Sequence, residues 1–304
     1  MKEKKNRKRF NNSRRSNSIK LVKIVSLLVV IGIIAFIGIN KGINSFANMA
    51  TSQNSDKKDV IENPSEDEKK EFGEVPLIND NRGVPVICFH SINDDPSVKS
   101  PIIISKDKFR TQLQAIKDNG YTTLTMAQLN DYLFNGKAIP EKSVVLTFDD
   151  GYRDNYTNVF PILKEFNMNA TIFVIQSYLD RDGYLTTDQV KELSSSGIID
   201  IESHTVSHID LPTMSYEDQL KELKNSREKL ESLINKPIIS IAYPEGKYND
   251  DTKKAFSEVG YSMGFTTERG YADRDDNSAE LNRICVDYTY KPKDILKVLK
   301  NLKK

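Results

Sequence analysis

Two histidines four residues apart, His204 and His208 in SHTVSH, and two adjacent aspartates, Asp149 and Asp150 in TFDDGY, are the side chains of this 304-residue sequence best suited to chemistry. The chain has only three histidines, so two of them in one short motif is uneven usage. An i, i+4 pair on a helical turn shows both imidazoles on one face, which is how a tetrahedral metal takes two ligands. A carboxylate from the Asp pair would complete a three-ligand set and leave a fourth position for water. Neighbouring residues leaving a strand point in different directions, so the two aspartates divide the work, one a ligand and one a base. Their structural alternative is to cap a helix beginning near Asn155. Such a set suits hydrolysis of an amide or ester, with the ion lowering the pKa of water and polarising a carbonyl. A glycosidase also needs two carboxylates, but they must flank the bond about 5–9.5 Å apart, which sequence neighbours are poorly placed to do.

Something must hold these residues together. PVICF, SVVLTF, ATIFVI, IIDIE, IISIA, SMGF and RICV are short apolar runs rich in β-branched residues, and TTLT beside Tyr121 is a weaker eighth. Helical stretches separate most of them. Thr125 with Gln128 and Thr186 with Gln189 have capping-box spacing. Tyr216 to Ile234 puts Leu220, Leu223, Leu230 and Leu233 on one face, and Gly120, Gly197 and Gly260 sit where helices should stop. Repeated βα units of this length predict an α/β fold with a parallel sheet, doubly wound or closed into a barrel. Chemistry in such folds sits at the carboxyl ends of strands. His90, Asp149, Asp150, His204, His208 and the Tyr243-Pro244-Glu245 run all follow predicted strands.

TFDDGY followed by SHTVSH resembles the polysaccharide deacetylases of carbohydrate esterase family 4, the NodB-homology domain. The resemblance runs from about Val84 to near the C-terminus. It implies a distorted (β/α)7-8 barrel of parallel strands that removes N-acetyl groups from a β-linked amino-sugar polymer. By motif position it implies Asp149 as catalytic base, and Asp150, His204 and His208 as ligands of zinc or of another divalent metal such as cobalt, nickel or manganese. The family's third motif reads Arg-x-Pro-Tyr-Gly, whereas this chain has Ala242-Tyr243-Pro244-Glu245-Gly246. The arginine that braces the base is therefore missing there. Arg283 is a substitute to weigh against an ordinary core or surface salt bridge. An oxyanion donor survives the change, because the family uses the backbone N–H at the Glu245 position. The family's late general-acid histidine is also missing. His90, in VPVICFHSI, resembles instead the extracellular branch that includes poly-N-acetylglucosamine deacetylases, where the acid histidine comes first. An imidazole with a pKa near 6.5 suits protonation of a leaving amine; the plain alternative is a hydrogen-bonded strand-end histidine. Tyr152, Pro244 and Tyr243 are the candidates for contact with sugar, in a chain with no tryptophan. Cys88 and Cys285 lie on the first and last predicted strands, neighbours in a closed barrel, either bonded or as two buried thiols.

Residues 1–23 hold ten Lys and Arg against one acid, and the uncharged stretch 24–40 reads as a single transmembrane anchor or signal peptide. Residues 41–83 read as a disordered linker and 84–304 as the deacetylase domain. The net charge of +1 hides a body, residues 24–304, at −8. A nucleic-acid-binding function is excluded on that ground. The expectation is a membrane-tethered domain outside the cytoplasm acting on a cell-wall or matrix polysaccharide. An O-acetyl esterase on the same metal centre and an inactive glycan-binding module are the competing readings.

Overall fold

A computed structural model describes residue 67 and residues 71–95 and 100–301. Among them, seven parallel strands close a barrel: β1 (Val86–Phe89), β2 (Ser143–Phe148), β3 (Ala170–Val174), β4 (Ile199–Ser203), β5 (Ser240–Ala242), β6 (Met263–Arg269) and β7 (Leu281–Cys285). Each pairs with its successor, and β1 closes the ring by pairing with both β2 and β7. These are the seven strong apolar runs. The weaker eighth, Thr122–Thr123, pairs with Ser143–Val144, the two residues of β2 that extend below the start of β1. It extends the sheet outside the closed ring, so the barrel has seven strands, not eight.

Among the described residues, the helices around the barrel are α1 (Lys106–Asp118), α2 (Met126–Phe134), α3 (Phe160–Phe166), α4 (Thr187–Ser195), α5 (Tyr216–Ile234), α6 (Asp250–Val259) and α7 (Pro292–Asn301). Both expected capping boxes form, at the starts of α2 and α4. Gly260 ends α6 with φ +84, the left-handed conformation that a glycine adopts without steric cost.

Strand side chains alternate between two cores. Ile87, Phe89, Leu146, Phe148, Ile172, Ile201, Ile241 and Ile284 face outward and pack under the helices. Val86, Val145, Phe173, Ala242, Phe265 and Leu281 fill the barrel and its amino-terminal end. Counting by twos from the inner set reaches Cys88 and His90, Thr147 and Asp149, and Arg283 and Cys285. The period that buries the core therefore also aims the polar residues into the barrel mouth.

The polar segment before Val84 does not remain a spacer to its end. Leu77–Ile78 pairs antiparallel with Ile139–Pro140, Phe72 packs on the inner core, and the Tyr132 hydroxyl is shared between the carbonyls of Asp80 and Arg82. The packed domain begins several residues earlier than composition suggested, because two apolar residues suffice for one rung of sheet. The basic segment 1–23, the expected anchor at 24–40 and most of the 41–83 stretch lie outside the described residues. Among the described residues, no helix is long and apolar enough to cross a membrane. A chain starting at Val84 should unfold in less urea than one starting at Glu71, with a loss of about 2–4 kcal/mol. Equal midpoints would show that the strap adds nothing.

Candidate active site

Asp149 leaves β2 buried within the barrel mouth, where Arg283 of β7 grips it. Nη1 donates to Oδ1 at 2.8 Å and Nη2 to Oδ2 at 2.7 Å. Arg283 is itself fully buried; Nε donates to the Thr266 carbonyl and its guanidinium lies over the Phe173 and Phe265 rings. Burial alone would raise the Asp149 carboxyl. The Arg283 charge and hydrogen bonds outweigh it and hold the group well below the usual carboxylate range, with His204 and His90 acting in the same sense. Arg283 is thus no ordinary salt bridge: it occupies the bracing role left empty by the altered third motif.

Asp150 turns the other way because its backbone is left-handed, at φ +76. Its Oδ1 lies 3.4 Å from His204 Nε2 and 3.5 Å from His208 Nε2. The expected helical turn is absent. His204 and His208 stand on an irregular loop after β4, and Thr205 (φ +64) and His208 (φ +57) are both left-handed. The loop is held from outside by Glu222 of α5, whose carboxylate accepts the N–H groups of Val206 and Ser207 and the Ser207 hydroxyl. Thr205 Oγ1 accepts the His208 N–H. Local backbone bonds thus do the work assigned to helical spacing. Glu222 escaped sequence reasoning, since one more acid on a charged helix carries no signal.

The donor set fits a divalent metal. Bonds of about 2.0–2.2 Å at a tetrahedral centre put ligand atoms about 3.3–3.6 Å apart, and both Asp150–histidine distances fall in that range. His204 Nδ1 is 2.7 Å from the Ala242 carbonyl oxygen. A carbonyl can only accept, so Nδ1 carries the hydrogen and the Nε2 lone pair faces Asp150 and His208.

His90 stands on the other side of Asp149. Ligand-capable atoms of Cys88, His90 and Asp149 all lie within 4.8 Å of one another. The His90 Nδ1 is buried without a hydrogen-bond partner, which does not match a histidine serving merely as a satisfied strand end. Asn155 and Asp154, also unflagged by the sequence, fix its backbone. Asn155 donates to the His90 carbonyl, and Asp154 accepts from Ser91 Oγ and the Ile92 N–H.

The Tyr243-Pro244-Glu245 turn follows β5. Tyr243 is not a sugar platform: its ring is fully buried against Gly264, where any Cβ would strike its hydroxyl, and that hydroxyl donates to the Ala279 carbonyl. Pro244 is also buried. Glu245 is exposed with φ +54, and Gly246 fits so closely against Thr267 that a Cβ would lie 2.1 Å from Oγ1. Tyr152 is half-buried, stacks on Tyr184 at 5.4 Å and adjoins Asp150, whose charge adds to burial in pushing the phenol up. Tyr178 meets Tyr184 edge-on, and Arg181 covers Tyr178.

A family model described as polysaccharide deacetylase matches residues 136–264. The Bacillus subtilis (strain 168) protein YxkH, which carries that family's name, is 38% identical over 203 residues, covering 67% of this chain and 71% of YxkH. This chain belongs to the polysaccharide deacetylase family. A protein of Escherichia coli O157:H7 named poly-β-1,6-N-acetyl-D-glucosamine N-deacetylase is also similar. The two are 28% identical over 267 residues, 73% of this chain but only 38% of that longer protein. The structure of Streptococcus pyogenes deacetylase PplD in complex with acetate superposes with TM-score 0.70 and 33% identity, covering 73% of this chain and all of that one. The segment matched by the family model contains both aspartates, both loop histidines and the Glu245 turn. His90 and Arg283 lie outside it, the first just past β1 and the second on β7.

Arg283→Met should destabilise the deacetylase by about 3–5 kcal/mol, since it strands a buried carboxylate. Asp149 is depressed in the fold, so its contribution is complete above the unfolded pKa of about 3.9 and lost as pH falls through the folded value. The stability gap between wild type and Asp149→Asn in urea should be flat from pH 8 to 5 and narrow below pH about 4. A gap that widens in acid would contradict the pairing. Glu222→Gln should weaken divalent-metal binding about 10- to 100-fold in a chelator competition, as loss of loop support implies, and unchanged affinity would remove Glu222 from that role.

Proposed function

We propose that the deacetylase hydrolyses the acetamide of N-acetylglucosamine units in a cell-wall or matrix polysaccharide, releasing acetate and leaving a free amine. The observation that carries this reading is one arrangement: an ionised Asp149, fixed by Arg283, stands between His90 and the Asp150–His204–His208 cluster. Zinc is the ion we assign to that cluster, with cobalt, nickel or manganese as substitutes. Bound there, it would polarise the acetamide carbonyl and lower the pKa of the attacking water toward 7, so that even a carboxylate as weak as Asp149 can take its proton.

The protein's own groups account for the remaining steps. Asp149 accepts a proton from water, and Arg283 on both its oxygens keeps it from rotating away. The Glu245 N–H, at the left-handed turn after β5, donates to the oxyanion as the carbonyl becomes tetrahedral. His90 gives a proton to the departing nitrogen, so the C–N bond breaks to an amine and not to an unstable anion. Tyr152, with Tyr184 and Tyr178 behind it, offers sugar the aromatic face denied by the burial of Tyr243 and Pro244. The poly-N-acetylglucosamine deacetylase name of the Escherichia coli relative supports an amino-sugar polymer as substrate.

The inactive-module reading drew on the missing motif arginine, and Arg283 removes its main support. The location we propose is the outer face of a cell membrane, with residues 24–40 as anchor. Its support is the basic flank of that stretch and a substrate found outside the cytoplasm.

The deciding experiment strips the full chain of metal, reloads it with zinc and measures acetate and free amine released from N-acetylglucosamine oligomers and from peptidoglycan. Both products should appear in equal amounts and only with metal. Asp149→Asn should lower kcat at least about 10³-fold, and His90→Ala about 10²- to 10⁴-fold. Acetate without amine would identify an esterase instead. A bound ion with no turnover on any polymer would restore the glycan-binding module.

A further inference from the structure

Cys88 and Cys285 have no part in the mechanism above, yet they occupy its edge. They are register partners on the neighbouring strands β1 and β7, and both are free thiols. Neighbouring strands run about 4.7–4.9 Å apart, inside the Cα separation of about 4.4–6.8 Å that a disulfide spans. Both side chains share the inward face of their strands, at directly paired positions. Cys88 is fully buried and its Sγ lies 3.5 Å from Asp149 Oδ2. Cys285 is only half-buried. Arg283 shares its strand face two residues earlier. The neighbouring Cys88 thiol and the Arg283 charge hold the Cys285 thiol below its ordinary range, while the neighbouring Cys285 and burial push Cys88 up. One sulfur is thus accessible and inclined to the thiolate, the other hidden and protonated, as in an attacking and resolving pair.

We propose that Cys88 and Cys285 form an oxidation site that peroxides convert to a disulfide, and that closing it slows catalysis at Asp149. The Cys285 thiolate attacks one peroxide oxygen, breaks the O–O bond, expels hydroxide and becomes a sulfenic acid. The Cys88 sulfur then displaces hydroxide from that sulfenic acid, its proton leaving with the hydroxide as water. With hydrogen peroxide, two thiols yield one disulfide and two waters. The sulfurs lose two electrons and the peroxide gains them. The link withdraws the Cys88 contact from Asp149 and ties together the two strands that carry His90 and Arg283, each two residues from a linked cysteine. The effect on turnover rests on the deacetylase reading, whereas the oxidation itself does not.

The test treats the reduced full chain with hydrogen peroxide, alkylates the remaining thiols and maps the peptides. A Cys88–Cys285 peptide lighter by two hydrogens should form and be reversed by dithiothreitol. Over the same course kcat on N-acetylglucosamine oligomers should fall and recover by about tenfold, the factor expected from one hydrogen bond to a carboxylate. In C88S, Cys285 should stop at a sulfenic acid trapped by dimedone. In C285S, Cys88 should stay reduced. Absence of the linked peptide in wild type, or Cys88 reacting in C285S as fast as in wild type, would overturn the site. A linked protein with undiminished kcat would overturn its coupling to Asp149. Because the linkage is read without substrate, it is judged separately from deacetylation.

Discussion

A guanidinium buried at the axis of a barrel is tolerable only if its charge is met, and Asp149 meets it with both oxygens. The rest of the site follows from that pair. Asp149 cannot rotate toward Asp150, so the two carboxylates keep separate tasks despite being neighbours in sequence. Arg283 in turn needs the Thr266 carbonyl and the rings of Phe173 and Phe265 to fill the space around it. Pairing a buried charge this way costs desolvation on both sides, and a pair of apolar residues would often be as stable. Its value here is in what it fixes: the position and ionisation of one carboxylate in a pocket that would otherwise neutralise it.

Closure of the ring is equally consequential. β1 and β7 are the first and last strands of the barrel in sequence, and they meet as neighbours. His90 stands beside Asp149 because β1 pairs with β2, whereas Arg283 reaches it only because β7 closes onto β1. A family model confined to residues 136–264 contains the carboxylates and the loop histidines but neither of these partners. The site is therefore assembled at a seam, with the aspartates and loop histidines within residues 136–264 and two of their partners brought in by the strands that close the ring.

Much of this was legible beforehand because it depends on local rules. Apolar runs gave the strands, capping boxes gave the helix starts, and paired motifs gave the ligand set by resemblance. What was illegible depended on tertiary placement. Arg283 sits in a strand like any charged residue until closure puts it over Asp149. Glu222 is one acid among many on α5 until the SHTVSH loop folds over it. Tyr243 looked like an exposed aromatic in a glycan enzyme, and only the missing Cβ of Gly264 shows why it is drawn inward. The helical reading of His204 and His208 failed for a related reason: spacing reports separation along the chain, and two left-handed residues can bring the rings together without a helix.

Those left-handed residues have a consequence for protein design. Asp150, Thr205, His208 and Glu245 all have positive φ, and for a β-branched residue such as Thr205 that conformation is held only against steric resistance. The information for this centre is written in the main chain as much as in its side chains. An engineer who transplants an aspartate and two histidines onto another barrel at matching strand ends would copy the letters without the grammar. The portable unit is the loop with its contorted backbone and its buttressing glutamate, and a recipient scaffold would have to accept the whole clause.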